Sequence, residues 1–215
     1  ESPEEQWAYW SRFICLERYA PKALPLYQKL LKLLAGKNYF VLTTNVDHCF
    51  QKAGFPKEKL FYTQGDYGLF QCSTPCHQKT YDNEAEIKAM VERQKGMQIP
   101  TELIPKCPVC GKVMSMNLRS DDTFVEDEGW HEAEDRYELF LAENYEDKSI
   151  VYLELGVGEN TPAIIRYPFM RLTGKNPKAI YIQANLHREN VPLQLEKQSI
   201  FLIGDLATTI DSILK

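Results

Sequence analysis

Long hydrophobic runs are missing from this sequence. None approaches the roughly 20 residues that a membrane-spanning helix needs, and the charged opening ESPEEQWAYW does not resemble a secretory signal peptide. We therefore expect neither a membrane protein nor a secreted one, with the cytosol as the default compartment. Internal repeats and low-complexity tracts are also missing, as is usual for an ordinary globular chain.

Positive charge is scarce as well. The chain has 25 Lys and Arg against 30 Asp and Glu, and its net charge is -5. A pI near 5.5 gives no general field that would attract nucleic acid. A composition of 44% hydrophobic and 26% charged residues is typical of a soluble globular protein rather than a disordered one. At 215 residues the sequence predicts one medium domain, or one domain plus a small module.

The first part of the chain predicts two helices, a strand and a third helix. Trp7, Trp10 and Ile14 recur at helical spacing in PEEQWAYWSRFICLERYA, and a leucine face marks PKALPLYQKLLKLLAGK. YFVLTT is typical of a short buried strand, and HCFQKAG of a helix that ends at Gly54. Helix, strand and helix in this order predict a parallel α/β sheet.

The composition changes between residues 66 and 117, where cysteines, prolines and a charged helical stretch, NEAEIKAMVERQKG, are concentrated. We interpret 66–117 as a module inserted into a sheet domain formed by 1–65 and 118–215. After an acidic linker, RSDDTFVEDEGWHE, comes a predicted helix, AEDRYELFLAENYED. The strands SIVYLELGVG, AIYIQAN and SIFLIGD follow, ending in a glycine turn, an amide and a carboxylate.

Four of the six cysteines form two close pairs. Cys72 and Cys76 are separated by three residues, and Cys107 and Cys110 by two. Four thiolates in two short knuckles can surround a zinc ion, and because no position is left for water the zinc would be structural. Unliganded thiols or a disulfide are the alternatives. His77 is expected to be a bystander.

Polar side chains follow several of the predicted strands. Asn45 and Asp47 follow the first strand, while Asn185 and Asp205 follow two later ones. Ligands of open α/β sheets bind at the carboxyl ends of strands, so these side chains could share one crevice. Each could equally be a helix cap.

The stretch ELGVGENTP is a second candidate ligand site. Gly156 and Gly158 would let the backbone approach a phosphate, with Asn160 and Thr161 as donors. A strand followed by two such glycines is as often only a tight packing turn. Gln64, which precedes the cysteine-rich module, could likewise be an ordinary loop amide.

The order of these parts resembles the sirtuin family. The chain has TTNVDHCFQKAG, then QG at Gln64 and Gly65, two cysteine pairs, GVGENTP, IYIQAN and LIGD. The family's versions are a Gln-Asn-Ile-Asp strand end, a His-Gly pair, a four-cysteine zinc ribbon, a Gly-Thr-Ser turn and late Asn and Gly-Asp strand ends. The resemblance extends from about residue 38 to the C-terminus. It implies an NAD-binding, Rossmann-like parallel sheet with an inserted four-cysteine zinc module.

The chain departs from the family in three ways. The opening Gly-Ala-Gly loop and first strand are missing, so we expect residues 1–37 to be helical and residue 1 not to be the natural start. The turn GVGENTP lacks the family's Thr-Ser pair. Finally, Gln64 replaces the catalytic histidine.

A glutamine amide has no useful basicity near neutral pH. In sirtuins the histidine deprotonates a ribose hydroxyl during lysine deacylation, whereas cleavage of the glycosidic bond needs no base at that position. Transfer of ADP-ribose to an external nucleophile should therefore survive. With its TTNVD strand end and cysteine spacing, the chain resembles the class M sirtuins of microbial pathogens. That resemblance implies a protein ADP-ribosyltransferase in the oxidative stress response. It also implies a lipoylated glycine-cleavage H-like carrier protein as acceptor and a macrodomain hydrolase as functional partner.

The resemblance also implies residue roles. Asn45 would orient the nicotinamide ribose and the nucleophile, Asp47 would bond the nicotinamide carboxamide, and Gln64 would hold ribose hydroxyls. Further cofactor-binding positions around these residues and around the phosphates and adenosine would be Thr44, Val46, Gly156, Gly158, Asn160, Thr161, Asn185, Asp205 and Leu206. Three alternatives stay open at this point: a lysine deacylase, an inactive sensor of NAD or ADP-ribose, and a zinc-stabilised scaffold that binds no nucleotide.

Overall fold

The structure is a computed structural model that describes residues 2–20, 22–145, 148–158 and 162–214. Its α-helices are α1 (Pro3–Ile14), α2 (Pro25–Leu33), α3 (Cys49–Lys52), α4 (Glu84–Arg93), α5 (Glu128–Tyr145), α6 (Arg166–Lys175) and α7 (Leu206–Ile213). A π-helical turn, Cys15–Tyr19, continues α1, and 3-10 turns lie at Lys57–Lys59, Thr101–Leu103 and Leu193–Gln198. None of the described helices is long and apolar enough to span a membrane.

The strands form three sheets. They are β1 (Val41–Thr43), β2 (Leu60–Tyr62), β3 (Gly65–Cys72), β4 (Tyr81–Asp82), β5 (Met114–Leu118), β6 (Val151–Leu155), β7 (Ile180–Asn185) and β8 (Ser199–Ile203). β1 pairs with β2, the order β4-β3-β5 is antiparallel, and the order β6-β7-β8 is parallel. The strands predicted from YFVLTT, SIVYLELGVG, AIYIQAN and SIFLIGD are all present.

The described chain divides into two compact units. The first comprises 1–24, 45–52 and 62–133, and the second comprises 25–44, 53–61 and 134–215. These bounds rest on spatial compactness. The predicted boundaries of an inserted module, 66–117 within 1–65 and 118–215, rest on composition and stay a prediction.

The first unit is built around β3, β5, α1 and α4. Ser2 caps α1 in a capping box with Glu5, which satisfies two free N–H groups at the helix start. Trp7 of α1 packs edge-on against Phe70 of β3, with 5.2 Å between the ring centroids. Ile87 and Met90 of α4 are fully buried in the same core.

The second unit contains the parallel sheet. Leu153, Ile182 and Ile200 lie in register across β6, β7 and β8. Tyr152 and Tyr181 point into a core that Met170 of α6 also fills.

The acidic linker after β5 is shorter than predicted, because the helix that follows it begins earlier. α5 begins at Glu128 rather than near residue 133. Asp127 explains the early start, because its Oδ1 accepts the N–H of Trp130 at 2.9 Å and so caps the first turn. Its Oδ2 also accepts a hydrogen bond from Thr80.

Candidate functional site

The strand-end loop of residues 45–48 belongs to the first unit. Its backbone is tied to β3, because the N–H of Tyr67 donates to the Val46 carbonyl at 3.0 Å. Asp47 Oδ1 accepts the N–H of Cys49 at 2.9 Å, at the start of α3. Asn45 is exposed. The loop therefore presents an amide and a carboxylate on a fixed backbone.

His48 links this loop to Asp66 on β3. His48 has φ 64, an uncommon conformation for a non-glycine residue, and its Nδ1 lies 2.7 Å from Asp66 Oδ2. Asp66 Oδ1 accepts from Arg18 Nε at 2.7 Å and from the Gly68 N–H at 2.6 Å. Burial acts to raise the pKa of Asp66, but His48 and Arg18 hold it below its ordinary value. The Arg18–Asp66–His48 chain was not predicted from the sequence.

Gln64 lies in the tight turn between β2 and β3. The Arg119 N–H donates to the Gln64 carbonyl at 3.0 Å, and the Trp130 indole donates to the Thr63 carbonyl at 3.2 Å. The side chain of Gln64 is half-buried and makes no hydrogen bond to the part of the chain that the structure describes. It is therefore available to a ligand.

Gly65 makes this turn possible. Its φ is +91, and a Cβ at this position would lie 1.9 Å from the backbone oxygen of Asn117 on β5. Only glycine fits, because both the conformation and the close approach exclude a side chain.

Arg119 was also missed by the sequence analysis. Its guanidinium lies over the rings of Phe124 and Trp130, 4.3 and 5.3 Å from their centroids, and pairs with Glu126. Stacking of this kind holds the arginine rigidly beside the Gln64 turn.

The four paired cysteines meet in the first unit. The Sγ atoms of Cys72, Cys76, Cys107 and Cys110 all lie within 4.8 Å of one another. The Cys72–Cys110 and Cys76–Cys107 separations are 3.6 and 3.7 Å. A zinc tetrahedron with bonds of about 2.3 Å needs sulfurs about 3.8 Å apart, so the cluster fits structural zinc.

Neighbouring groups shift the pKa values of two thiols of the cluster in opposite directions: burial and hydrogen bonds with the other three cysteines raise the pKa of Cys76. Burial acts to raise the pKa of Cys107, but hydrogen bonds from the backbone of Cys110 and Val109 lower it. His77 Nδ1 lies 3.0 Å from Cys76 Sγ, and its Nε2 lies 2.9 Å from the Tyr81 hydroxyl. His77 thus contacts a sulfur of the four-cysteine group, and its expected place as a bystander stays a prediction.

The glycine turn belongs to the second unit. Gly156 has φ +62, and its N–H donates to the Ala184 carbonyl at 2.9 Å. A Cβ on Gly156 would lie 3.2 Å from Leu206 Cδ1, so Leu206 packs directly against the turn. Gly158 is exposed. The predicted donors Asn160 and Thr161 lie outside the described residues.

Asn185 and Asp205 both make local hydrogen bonds. Asn185 Nδ2 donates to the Val157 carbonyl at 3.0 Å, and its Oδ1 accepts the Leu186 N–H at 2.8 Å. Asp205 caps α7 by accepting the Thr208 N–H at 2.9 Å, and this bond holds the pKa of Asp205 below its ordinary value. The helix-cap interpretation therefore applies to Asp205, and Asn185 supports the glycine turn.

A buried ion pair lies beneath the glycine turn. Glu154 of β6 is 0% exposed and Arg166 of α6 is 5% exposed. Arg166 Nε and Nη2 donate to Glu154 Oε1 at 3.1 and 3.0 Å, and Nη2 also donates to the Val157 carbonyl. The pair has a sequence signal that we did not use: Glu154 alternates with Tyr152 on the inward face of an apolar strand, where a carboxylate needs a partner.

The structure describes the surroundings of two groups of predicted cofactor-binding residues. Asn45, Asp47 and Gln64 belong to the first unit, and Gly156, Gly158, Asn185, Asp205 and Leu206 belong to the second. Their roles toward a cofactor stay predictions.

Solved structures of sirtuins resemble this chain. One, from work on the structural basis of sirtuin substrate affinity, has a TM-score of 0.64 at 18% identity, covering 98% of this chain and 77% of that one. Another, a Sir2 homologue in complex with NAD, has a TM-score of 0.64 at 15% identity, covering 99% and 71%. The protein therefore has the sirtuin fold, which confirms the predicted fold class.

Curated relatives define the family more closely. A protein ADP-ribosyltransferase of Staphylococcus aureus (strain Mu50 / ATCC 700699) is 39% identical over 213 residues, or 99% of this chain and 67% of the relative. A probable bifunctional ADP-ribose hydrolase/ADP-ribosyltransferase of Fusarium oxysporum f. sp. cubense is 35% identical over 175 residues, or 78% of this chain and 29% of the relative. No protein-family model matches. The chain belongs to the family of sirtuin-fold protein ADP-ribosyltransferases.

Proposed function

We propose that this protein transfers ADP-ribose from NAD to a protein acceptor and releases nicotinamide. The observation that carries the proposal is Gln64. By the order of motifs, Gln64 would stand where sirtuins have a histidine; it lies on a turn fixed by Arg119 and Gly65, with its amide unused within the described chain. Such an amide can hold ribose hydroxyls but cannot take their protons. Glycosidic cleavage is therefore favoured over lysine deacylation.

The strand-end loop would serve the nicotinamide end of NAD. In this proposal Asn45 orients the nicotinamide ribose and the nucleophile, and Asp47 accepts a hydrogen bond from the nicotinamide carboxamide. Thr44 and Val46 flank them. Asp47 is suited to this role because its backbone is fixed and only one of its carboxylate oxygens bonds the Cys49 N–H. Positioning of this kind lowers the barrier without a general base.

The glycine turn and two strand ends would bind the phosphates and the adenosine of NAD. Gly156, Gly158, Asn160 and Thr161 would line the phosphates and the adenosine ribose, and Asn185, Asp205 and Leu206 would surround the adenosine. The position of Gly158 supports this role, since no described residue would lie within 4 Å of a Cβ there. Zinc would be structural, held by Cys72, Cys76, Cys107 and Cys110 outside the reaction.

The proposed acceptor is a lipoylated glycine-cleavage H-like carrier protein, as in class M sirtuins. A macrodomain hydrolase would reverse the modification, and the reaction would take place in the cytoplasm. The Fusarium relative supports the hydrolase link, because its name joins an ADP-ribose hydrolase to an ADP-ribosyltransferase in one protein.

Intact mass spectrometry would test the proposal. The full-length protein is incubated with NAD and the carrier protein, in lipoylated and unlipoylated forms. We expect one ADP-ribose on the lipoylated form only, lost with Asn45→Ala and kept with Asn38→Ala, an exposed asparagine that bonds Asn144. If NAD binds and neither form gains mass, the transferase proposal is contradicted and a sensor of NAD is favoured.

A further inference from the structure

We propose that Arg166 and Glu154 are positioning residues for the cofactor, acting through the peptide bond between Val157 and Gly158. The inference rests on the proposed function, because it concerns how the glycine turn meets an anionic oxygen of NAD. Neither side chain needs to touch the ligand.

Two donors converge on one carbonyl oxygen. Arg166 Nη2 and Asn185 Nδ2 both donate to the Val157 oxygen, the latter at 3.0 Å. A carbonyl with both lone pairs bonded has a fixed direction. The carbonyl points into the unit, because its donor Arg166 is itself buried, at 5% exposure.

The direction of the carbonyl sets the direction of the next N–H. In a planar trans peptide the C=O of one residue and the N–H of the following residue point in opposite directions. The Gly158 N–H must therefore point away from Arg166 and Asn185. It makes no hydrogen bond within the described part of the chain. A backbone donor held in this way suits a phosphate oxygen.

The ion pair fixes Arg166 from several sides. Glu154 accepts from the arginine and from the Tyr181 hydroxyl, and Glu189 Oε2 lies 3.5 Å from Arg166 Nη1. Burial acts to lower the pKa of Arg166, but Glu154 raises it above its ordinary value. The guanidinium stays charged, and a reversed 157–158 peptide would take the Val157 acceptor away from one N–H of the buried Arg166 and from one N–H of the partly buried Asn185. The network thus selects one orientation of the turn.

Two arginine-to-lysine substitutions in the full-length protein, one at Arg166 and one at a control position, test this positioning role. Arg166→Lys keeps the charge but cannot reproduce the fork that reaches both Glu154 and Val157. We expect the affinity for ADP-ribose, measured by calorimetry, and the KM for NAD each to worsen roughly tenfold, as for the loss of one charge-assisted hydrogen bond. The kcat should change less than about twofold, because a uniform binding interaction is lost.

The matched control is Arg188→Lys. Arg188 Nη2 donates to both carboxylate oxygens of Glu196, at 2.8 and 2.9 Å, in an exposed pair of the same unit. The Arg188→Lys substitution should change neither the affinity for ADP-ribose nor the KM for NAD. If Arg166→Lys does not fold, Tyr181→Phe removes the hydroxyl that donates to Glu154 and accepts from Gln183, and we expect about threefold weaker ADP-ribose binding.

The outcomes separate the two proposals. Unchanged ADP-ribose affinity in a folded Arg166→Lys or Tyr181→Phe variant overturns the positioning role alone. A loss of kcat without a change in KM also overturns it. A wild-type protein that neither binds ADP-ribose nor releases nicotinamide from NAD overturns the proposed function, and this inference with it.

Discussion

At the residue scale, Asp66 shows how a buried carboxylate stays ionised. Its exposure is 4%, and burial alone would favour the protonated form. Three donors oppose this: the His48 ring, the Arg18 guanidinium and the Gly68 N–H. Because the pKa of Asp66 is lower in the folded protein than in an unfolded chain, its ionisation stabilises the fold.

The ionisation of Asp66 makes the stability of the fold depend on pH, and we expect this contribution to be lost in acid. The contribution of Asp66 is full above the unfolded pKa of about 4 and is lost as the pH falls through the lower, folded pKa. Asp66→Asn should destabilise the protein at pH 7 by about 3 kcal/mol, because it leaves Arg18 with a neutral partner. The variant should also lose less stability than the wild type between neutral pH and pH ~3. Urea unfolding followed by circular dichroism would measure both, and parallel pH curves for the two proteins would contradict the assignment.

At the element scale, the pairing of β3 with β5 depends on one glycine. Gly65 pairs with Leu118, and the Asn117 oxygen occupies the space of a Cβ. Gly65→Ala should destabilise the first unit by more than ~4 kcal/mol, since the clash is with backbone that belongs to a ladder.

Gly111→Ala is the matched comparison for that substitution. Gly111 has φ +73, but a methyl group at this position would have nothing within 4 Å of it, so only the left-handed conformation is penalised, by about 1–2 kcal/mol. Thermal unfolding of the Gly65→Ala and Gly111→Ala variants would separate the cost of the steric clash from the cost of backbone strain. Equal losses at the two positions would show that the clash contributes nothing.

Many of the helices and strands could be predicted from the sequence. The leucine face predicted α2, and apolar runs predicted β1, β6, β7 and β8, because these are local patterns. The end of α1 was not predictable. The sequence favours one helix through residue 20, but a π-helical turn begins at Cys15, and its Arg18 and Tyr19 bond Asp66 and Asn83 from distant elements. Such long-range contacts leave no local pattern.

At the scale of the whole molecule, the cysteine cluster is expected to decide whether the first unit folds. Cys72 and Cys107 are buried in the same core as Trp7 and Ile87. Metal binding to four thiolates is coupled to folding. We expect about one zinc per chain, lost with Cys110→Ser together with the structure of this unit.

The control for zinc binding is Cys15→Ser, since Cys15 lies outside the cluster. Elemental analysis and the near-ultraviolet circular dichroism of the tryptophans would report metal and packing together. A protein that stays fully folded after complete removal of zinc by a chelator would contradict the structural role.

Only part of the candidate site could be predicted from the sequence, because many of its contacts come from tertiary packing. Spacing alone predicted that the four cysteines come together, whereas the order of motifs predicted Asn45, Asp47 and Gln64 as site residues, a role that stays a prediction. Residues that support the strand-end loop, the Gln64 turn and the glycine turn, such as His48, Arg119 and Arg166, come from positions with no motif. Their partners are set by tertiary packing, which a single sequence does not display.

The two compact units are interleaved along the chain, which crosses between them after residues 24, 44, 52, 61 and 133. Neither unit can therefore be produced as one uninterrupted fragment, and no single cut would release either of them whole. During synthesis, segments 25–44 and 53–61 leave the ribosome well before 134–215, the stretch with which they form a unit. The early segments can pair with each other through β1 and β2, but the rest of their unit is absent until 134–215 has been made.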